Sequence, residues 1–372
     1  MKSGVTAAHE EKVTALLKTL IDQEHARVLV PPYENTPGFW FGGGNLVRDD
    51  TGTLWLVGRY RNAGDSRTGL KMGERGLELA VFASQDDGAT FKKVQNWSKK
   101  DLSRPGAEVL SLEGASLFFP QRGGCELYVS SEKRRPYPDE VKAFQKEGTG
   151  VWTIDVIRGD SPEALDSTTL SPVFAEQPDP GHLHVKDPVV FPGYDGATIL
   201  VFCNHPFTWA SANSGYAVRE NAASPFEVKS WEFVSRGPAW DVAGTRMTSC
   251  MPVPGVGAFK GLAPVCVYFY DGLECVRPHE QSAGGVKRPR GYSCEELGGA
   301  CWGPLDAFPE MTRLSQLQPL FVSPHGTGCS RYVETLVEPG GIRAIWQQGQ
   351  EDGSQPLVIN FLSREKITGI LS

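Results

Sequence analysis

The stretch Val109 to Pro120, VLSLEGASLFFP, is apolar along nearly all its length, ends at a proline and runs into a turn, Gln121 to Gly124. That pattern predicts a buried β-strand. His184 to Phe191, HVKDPVVF, has the same form: an acid, a small or rigid residue, then a β-run. Nearer the start of the chain the period differs. Val13, Leu16, Leu17 and Leu20 recur at i, i+3, i+4 and i+7, which predicts an amphipathic helix between Thr6 and Gln23. Pro31 and Pro32 end that unit. From Phe39 onward the pattern is that of strands, beginning with FGGGNLVRD and TLWLVGRYRN around a turn at Asp49 to Gly52.

Groups of four β-runs then recur. The first group adds LELAVFAS and SQDDGATFKKV. The second is LEGASLFF, CELYVSSE, GVWTIDVIRG and a weaker edge. The third is KDPVVF, ATILVFCNH, SGYAVREN and SWEFVSRG. The fourth is GTRMTSCMPV, PVCVYFYDG, RGYSCEEL and the region near Arg313. The fifth is CSRYVETLVEP, IRAIWQQGQ, PLVINFLS and KITGILS. The repeat is longer than the roughly 40–45 residues of a WD-type blade, which calls for long loops on one face. The expected fold is all-β, a five-bladed β-propeller with an N-terminal amphipathic helix. Residues 1–32 form the helical segment and residues 33–372 a catalytic propeller domain. The Gly-rich segment from Pro278 to Leu314 reads as a surface insertion near the site. Ser84 to Phe91, SQDDGATF, matches the Asp-box pattern S-x-D-x-G-x-T-F/W, a turn between the two outer strands of a blade whose role is structural.

Composition narrows the function. The net charge is −7, which argues against a nucleic-acid or anionic-membrane partner. No apolar run reaches the roughly 20 residues that span a bilayer. The N-terminus lacks the apolar region and cleavage site of a secretory signal. None of the eight cysteines forms a C-x-x-C pair, so they are expected to be reduced in a cytoplasmic protein. Cys275, Cys294 and Cys301 are the three placed to bridge in an oxidising compartment. The helix is expected to pack on the propeller, with a dimer contact as its second use.

In a propeller the innermost strands border the central channel. The polar residues at their starts are Asn45, Glu113, His184, Lys186, Asp187, Thr245, Arg246, Ser330, Arg331 and Tyr332. Neighbouring strand ends add Arg59, Arg61, His205, Asp271 and Glu274. Glycosidic cleavage needs one carboxylic acid and one carboxylate. Glu113, in an apolar strand, is expected to have a raised pKa and to donate the proton. Asp187, beside Lys186, is expected to stay ionised as a base or charge stabiliser. The plainer readings are a buried Glu113 paired with an arginine and Asp187 as a turn acceptor. His182 and His184 form an H-x-H pair without a third clear ligand. No cofactor is called for, although the axis leaves room for a structural cation. Arg48, Arg59, Arg61, Arg67 and Arg75 cluster in sequence, and about half of them read as surface charge; Arg59 and Arg61, which share one strand face, and Arg246 and Arg331, on inner strands, suit a carboxylate or sulfate, hence an acidic sugar. Trp209, Trp240 and Trp302 are the candidates for stacking on sugar.

LEGASLFF resembles the E-G-P/A-x-x-F strand, and HVKDPVVF the D-P-x-x-F strand, of the five-bladed propeller glycosidases of glycoside hydrolase family 43. GGGN at Gly42 to Asn45 lies where such enzymes begin blade one. The Asp-box and the arginines resemble sialidases instead. Family 43 has an aspartate on blade one, where this chain has Asn45, and it places two aspartates before its glutamate. The resemblance therefore implies a related propeller glycosidase family, exo-acting on an oligosaccharide or glycoside. Two other classes remain open. One is a sialidase-like enzyme or polysaccharide lyase using Arg, Tyr and His. The other is a non-catalytic propeller that binds a glycan or a protein.

Overall fold

The computed structural model describes residues 6–61, 75–121, 123–174, 179–209, 211–273, 296–326 and 328–372. The chain is a five-bladed β-propeller. Blade I is built on Leu54–Arg61, Glu78–Ser84 and Lys92–Ser98. Its inner strand is broken into Trp40–Gly42 and Leu46–Arg48. Blade II runs from Val109–Phe118 outward to Asp166–Pro172, blade III from His184–Pro192 to Glu227–Val234, and blade IV from Gly244–Pro252 to Thr312–Arg313. Blade V contains Ser330–Glu338, Gly341–Gln348 and Leu357–Ser363.

The blades cohere through apolar seams. Along Val265–Leu273, Cys266, Tyr268 and Tyr270 enter the seam with blade III, while Val265, Val267 and Phe269 enter the seam with blade V. Side chains alternate between the two faces of a strand. A strand buried on both faces must therefore read as one continuous apolar run.

Two expectations about the elements are corrected. KITGILS is not a strand: Arg364–Leu371 is a helix that buries Ile367 and Leu371, one turn apart. The outer strand of blade V is Arg27–Val30, which pairs antiparallel with Leu357–Ser363. The segment expected to be helical up to residue 32 thus carries a strand that closes the ring. Helix Ala7–Leu20 packs Val13, Leu16, Leu17 and Leu20 into the seam of blades IV and V, beside the C-terminal helix. The second correction concerns blade IV. Glu296–Pro304 is its buried third strand, not part of a surface insertion. The remainder of that segment, up to residue 295, lies outside the described residues, as do Arg67, Cys275 and Cys294. Cys125, Cys203, Cys250, Cys266, Cys301 and Cys329 are free thiols. Among the described residues no helix is long and apolar enough to cross a membrane.

The turn Ser84 to Phe91 joins Glu78–Ser84 to Lys92–Ser98. Asp86 accepts from Ser84 Oγ at 2.7 Å and from the Thr90 amide at 2.9 Å. Asp87 and Gly88 take φ of 55° and 82°. Arg27 donates to the Gly88 carbonyl at 2.8 Å, and Arg343 pairs with Asp87 at 2.8 Å. The turn thereby also binds the strand that closes the ring.

Candidate functional site

All five inner strands lose their regular ladder at the same level. Blade I breaks between Gly42 and Leu46. The others shift register between Leu112 and Ala115, Lys186 and Val189, Met247 and Ser249, and Arg331 and Glu334. A bulge re-aims the side chain it carries. The bulges carry Glu113, Asp187 and Tyr332; Asp187, Tyr332 and the in-register Arg246 border one channel, with Gly43, Asn45, Gly114 and Glu334 in its wall. Asp187 and Tyr332 hold left-handed backbone, with φ of 55° and 52°. For residues other than glycine this is strained, and such strain gathers at functional sites.

Asp187 sits at the centre. Its Oδ1 accepts from the Gly114 amide at 3.1 Å and from the Tyr332 hydroxyl at 3.2 Å. Its Oδ2 lies 3.4 Å from Arg246 and 3.7 Å from Lys186. The approach requires glycine at 114, because a Cβ there would lie 2.6 Å from Asp187 Oδ1. Arg246 lies over the Tyr332 ring at 3.9 Å and is held by Asp271 at 2.6 Å, its partner in register, and by Glu296 at 3.1 Å. Glu296 also binds Arg331. Asp271 accepts from the Tyr332 amide at 3.0 Å. Burial, with the Glu296 charge nearby, pushes Asp271 up to about 6 against the pull of Arg246.

Glu113 corrects the sequence reading. It is paired with Arg59, which is 1% exposed. Burial alone would raise this carboxyl, but Arg59, Lys186 and Arg61 override it and hold it down at about 2. The shift runs opposite to the one expected from its apolar strand. Asn45 is also spoken for. Its amide donates to the Leu117 carbonyl and accepts from the Leu117 amide, both at 2.8 Å. It clamps the inner strands of blades I and II together at the channel wall.

His184 and His205 face each other in register on the first two strands of blade III. His184 bonds Tyr137 at 3.1 Å, and burial beside Lys186 pushes it down to about 3. His205 bonds the Ser211 carbonyl at 2.9 Å, and burial lowers it far below its usual value. Both rings flank Trp209, with centroids 4.3 and 4.4 Å away. His182 points elsewhere, to Asn204 at 2.9 Å and against Trp231. Among the described residues no group of His, Cys, Asp or Glu could hold a metal ion. Trp240 and Trp302 are not loop platforms. Trp240 is buried and donates to the Ser315 carbonyl, and Trp302 lies in Glu296–Pro304. Glu274 lies outside the described residues.

Two members of the site escaped the sequence reading. Glu296 bridges Arg246 and Arg331; its signal was an acid inside the run EELGGAC. Glu334 lies in the channel wall, and burial raises its pKa well above the carboxylate range.

No family model matches the chain, and no curated protein matches it. Solved structures do. One described as a glycoside hydrolase is 11% identical at a TM-score of 0.60, covering 96% of this protein and 95% of its own length. RS223-β-xylosidase is 13% identical at 0.54, covering 91% and 95%. The GH43_1 enzyme from Xanthomonas citri complexed with xylotriose is 14% identical at 0.51, covering 95% and 93%. The shared property is the fold.

Proposed function

We propose that the chain is an exo-acting glycosidase working at this channel mouth, with Tyr332 as nucleophile and Asp187 as its base. The supporting observation is the hydrogen bond from the Tyr332 hydroxyl to Asp187. A nucleophile within reach of a base, itself oriented by further groups, is the recurring arrangement for covalent catalysis. The Gly114 amide and Arg246 orient Asp187 here. Burial keeps the phenol neutral at rest. Arg246, Arg331 and Arg59 lie 3.9, 5.5 and 5.7 Å from its ring, where they favour the phenolate as it forms.

The chemistry balances in two steps. The Tyr332 oxygen bonds to the anomeric carbon while its proton passes to Asp187. The glycosidic bond breaks with its electron pair on the leaving oxygen, which solvent at the mouth protonates. Water then attacks the anomeric carbon, the bond to Tyr332 breaks, Asp187 returns the proton to Tyr332, and the proton of the water goes to solvent. Glu113 serves as the counter-ion of Arg59.

The neighbours in fold add weight to a carbohydrate substrate, since one is a β-xylosidase and another is complexed with xylotriose. A second reading keeps Glu113 and Asp187 as the reacting pair, supported by the hydrogen bond to Asp187 from the Gly114 amide, next to Glu113 in sequence. In that case Glu113, being ionised, is the nucleophile or base and not the acid. A screen of aryl glycosides with wild type, Tyr332→Phe and Glu113→Gln separates the two. An unsaturated product absorbing in the ultraviolet would turn the assignment to a lyase, and no turnover on any glycoside would leave a binding propeller.

A further inference from the structure

Among the described residues, Arg59 pairs with Glu113, Lys186 with Asp187, Arg246 with Asp271 and Glu296, and Arg331 with Glu296. Arg61 stands apart from these pairs. Alternation along Leu54–Arg61 puts Arg59 and Arg61 on one side, opposite Gly42 and Trp40 in register. Arg61 lies over the Trp40 ring at 4.5 Å and Arg331 over the same ring at 4.3 Å. Among the described residues no carboxylate lies within ion-pair distance of Arg61. Burial and the charges of Arg59, Arg331 and Arg75 push it down to about 10, against the pull of Glu113. Arg59, 1% exposed, has Nε and Nη1 buried without an acceptor among the described residues. Unsatisfied buried donors are rare and costly.

We infer that Arg61, stacked on Trp40 beside Arg59 and Arg331, is the binding site for the carboxylate of an acidic sugar. A carboxylate matches the two-pronged edge of a guanidinium and supplies the counter-charge that Arg61 lacks among the described residues. This rests on the glycosidase reading for the sugar, but its test needs only binding.

The probes are D-glucuronate, D-galacturonate and N-acetylneuraminate, compared with D-glucose, D-galactose and D-glucose 6-sulfate. Affinity is measured by calorimetry on wild type, Tyr332→Phe, Arg61→Gln and Arg61→Lys. At least one carboxylate sugar should bind ten times more tightly than the neutral sugars, on wild type and on Tyr332→Phe. Arg61→Gln should lose that preference while its melting temperature holds or rises, since a like-charge contact is relieved. Arg61→Lys, which keeps the charge but not the fork, should fall between. The inference is overturned if neutral or sulfated sugars bind as well as every carboxylate sugar, or if either Arg61 variant binds like wild type. A lowered melting temperature with the preference intact also overturns it, because Arg61 would then be only a structural partner of Trp40. Uronate binding without turnover of any glycoside refutes the hydrolase and leaves the anion site standing. Turnover of neutral glycosides, unchanged by Arg61→Gln, does the reverse.

Discussion

Tyr332 donates its hydroxyl to Asp187 across the channel at 3.2 Å, and both residues hold left-handed backbone at bulges of their inner strands. The two bulges lie on blades III and V, so no local turn requirement links them. What they share is the point at which their side chains meet. Tyr332→Phe should leave the fold intact and lower turnover by about 10³-fold or more, as loss of a nucleophile does elsewhere. Asp187→Asn should cost about 10²–10⁴-fold, the range for loss of a general base. Both losses should persist on activated aryl glycosides, because the missing step is attack and not leaving-group protonation. Steady-state kinetics on folded protein decides it. Full activity of Tyr332→Phe would sink the assignment.

The Glu113–Arg59 pair sets a pH dependence with a definite sign. The Glu113 carboxyl is held at about 2, below its ordinary 4.5. A depressed carboxylate contributes stability that is fully present above pH 4.5 and is lost as the pH falls toward 2. Glu113→Gln leaves Arg59 buried without its carboxylate, and breaking a buried pair costs about 3–5 kcal/mol. The gap in unfolding free energy between wild type and Glu113→Gln should therefore be large at pH 7 and narrow below pH 4.5. Urea titrations across that range measure it. A gap independent of pH would show that Glu113 is not held as an ionised partner.

The turn at Ser84 to Phe91 is remote from the channel, yet it binds the closing strand through Arg27 and blade V through Arg343. Asp86→Ala removes the acceptor for Ser84 and for the Thr90 amide. It should lower the melting temperature and leave activity per folded molecule unchanged. Thermal melts paired with a rate assay check both parts. A variant that melts like wild type but is inactive would contradict a structural role.

The blades were legible because second strands such as Val265–Leu273 serve two seams and so read as unbroken apolar runs. The closing strand was not. Arg27–Val30 has four residues, and only Val30 is buried, too short and mixed a pattern to register. At the C-terminus, Ile367 and Leu371 stand four apart, the period of a helix, but they sit in a run short enough to pass for an edge strand. At the site, the acid on an apolar strand was visible from sequence, as was the small residue after it. The protonation state was not. Desolvation of Glu113 follows from its neighbours in the chain, whereas Arg59, which reverses the shift, is 54 residues away. Glycine at 114 signalled a close approach, and only the folded chain identifies Asp187 as what approaches.

Asn45 stands just before Leu46–Arg48 in the inner strand of blade I, and its surroundings argue against an acid there. Its amide nitrogen donates to the Leu117 carbonyl while its oxygen accepts from the Leu117 amide. Asn45→Asp keeps the acceptor and replaces the donor with a second oxygen facing that carbonyl, in a residue only 7% exposed. An ionised carboxylate there is buried with one oxygen opposed by another. The protonated acid, in contrast, restores the donor. The introduced carboxyl should therefore have a raised pKa in the folded state. A raised carboxyl favours folding at low pH, and that contribution is lost as the pH rises from the ordinary value near 3.9 through the folded value. Asn45→Asp should melt close to wild type at pH 4 and clearly below it at pH 8, with the deficit growing between them. Asn45→Ala lacks any titrating group, so its deficit should be the same at both pH values. Melting curves of the three proteins at both pH values distinguish these outcomes. An Asn45→Asp protein that is more stable at pH 8 than at pH 4, relative to wild type, would mean that a cation and not the Leu117 carbonyl faces this position.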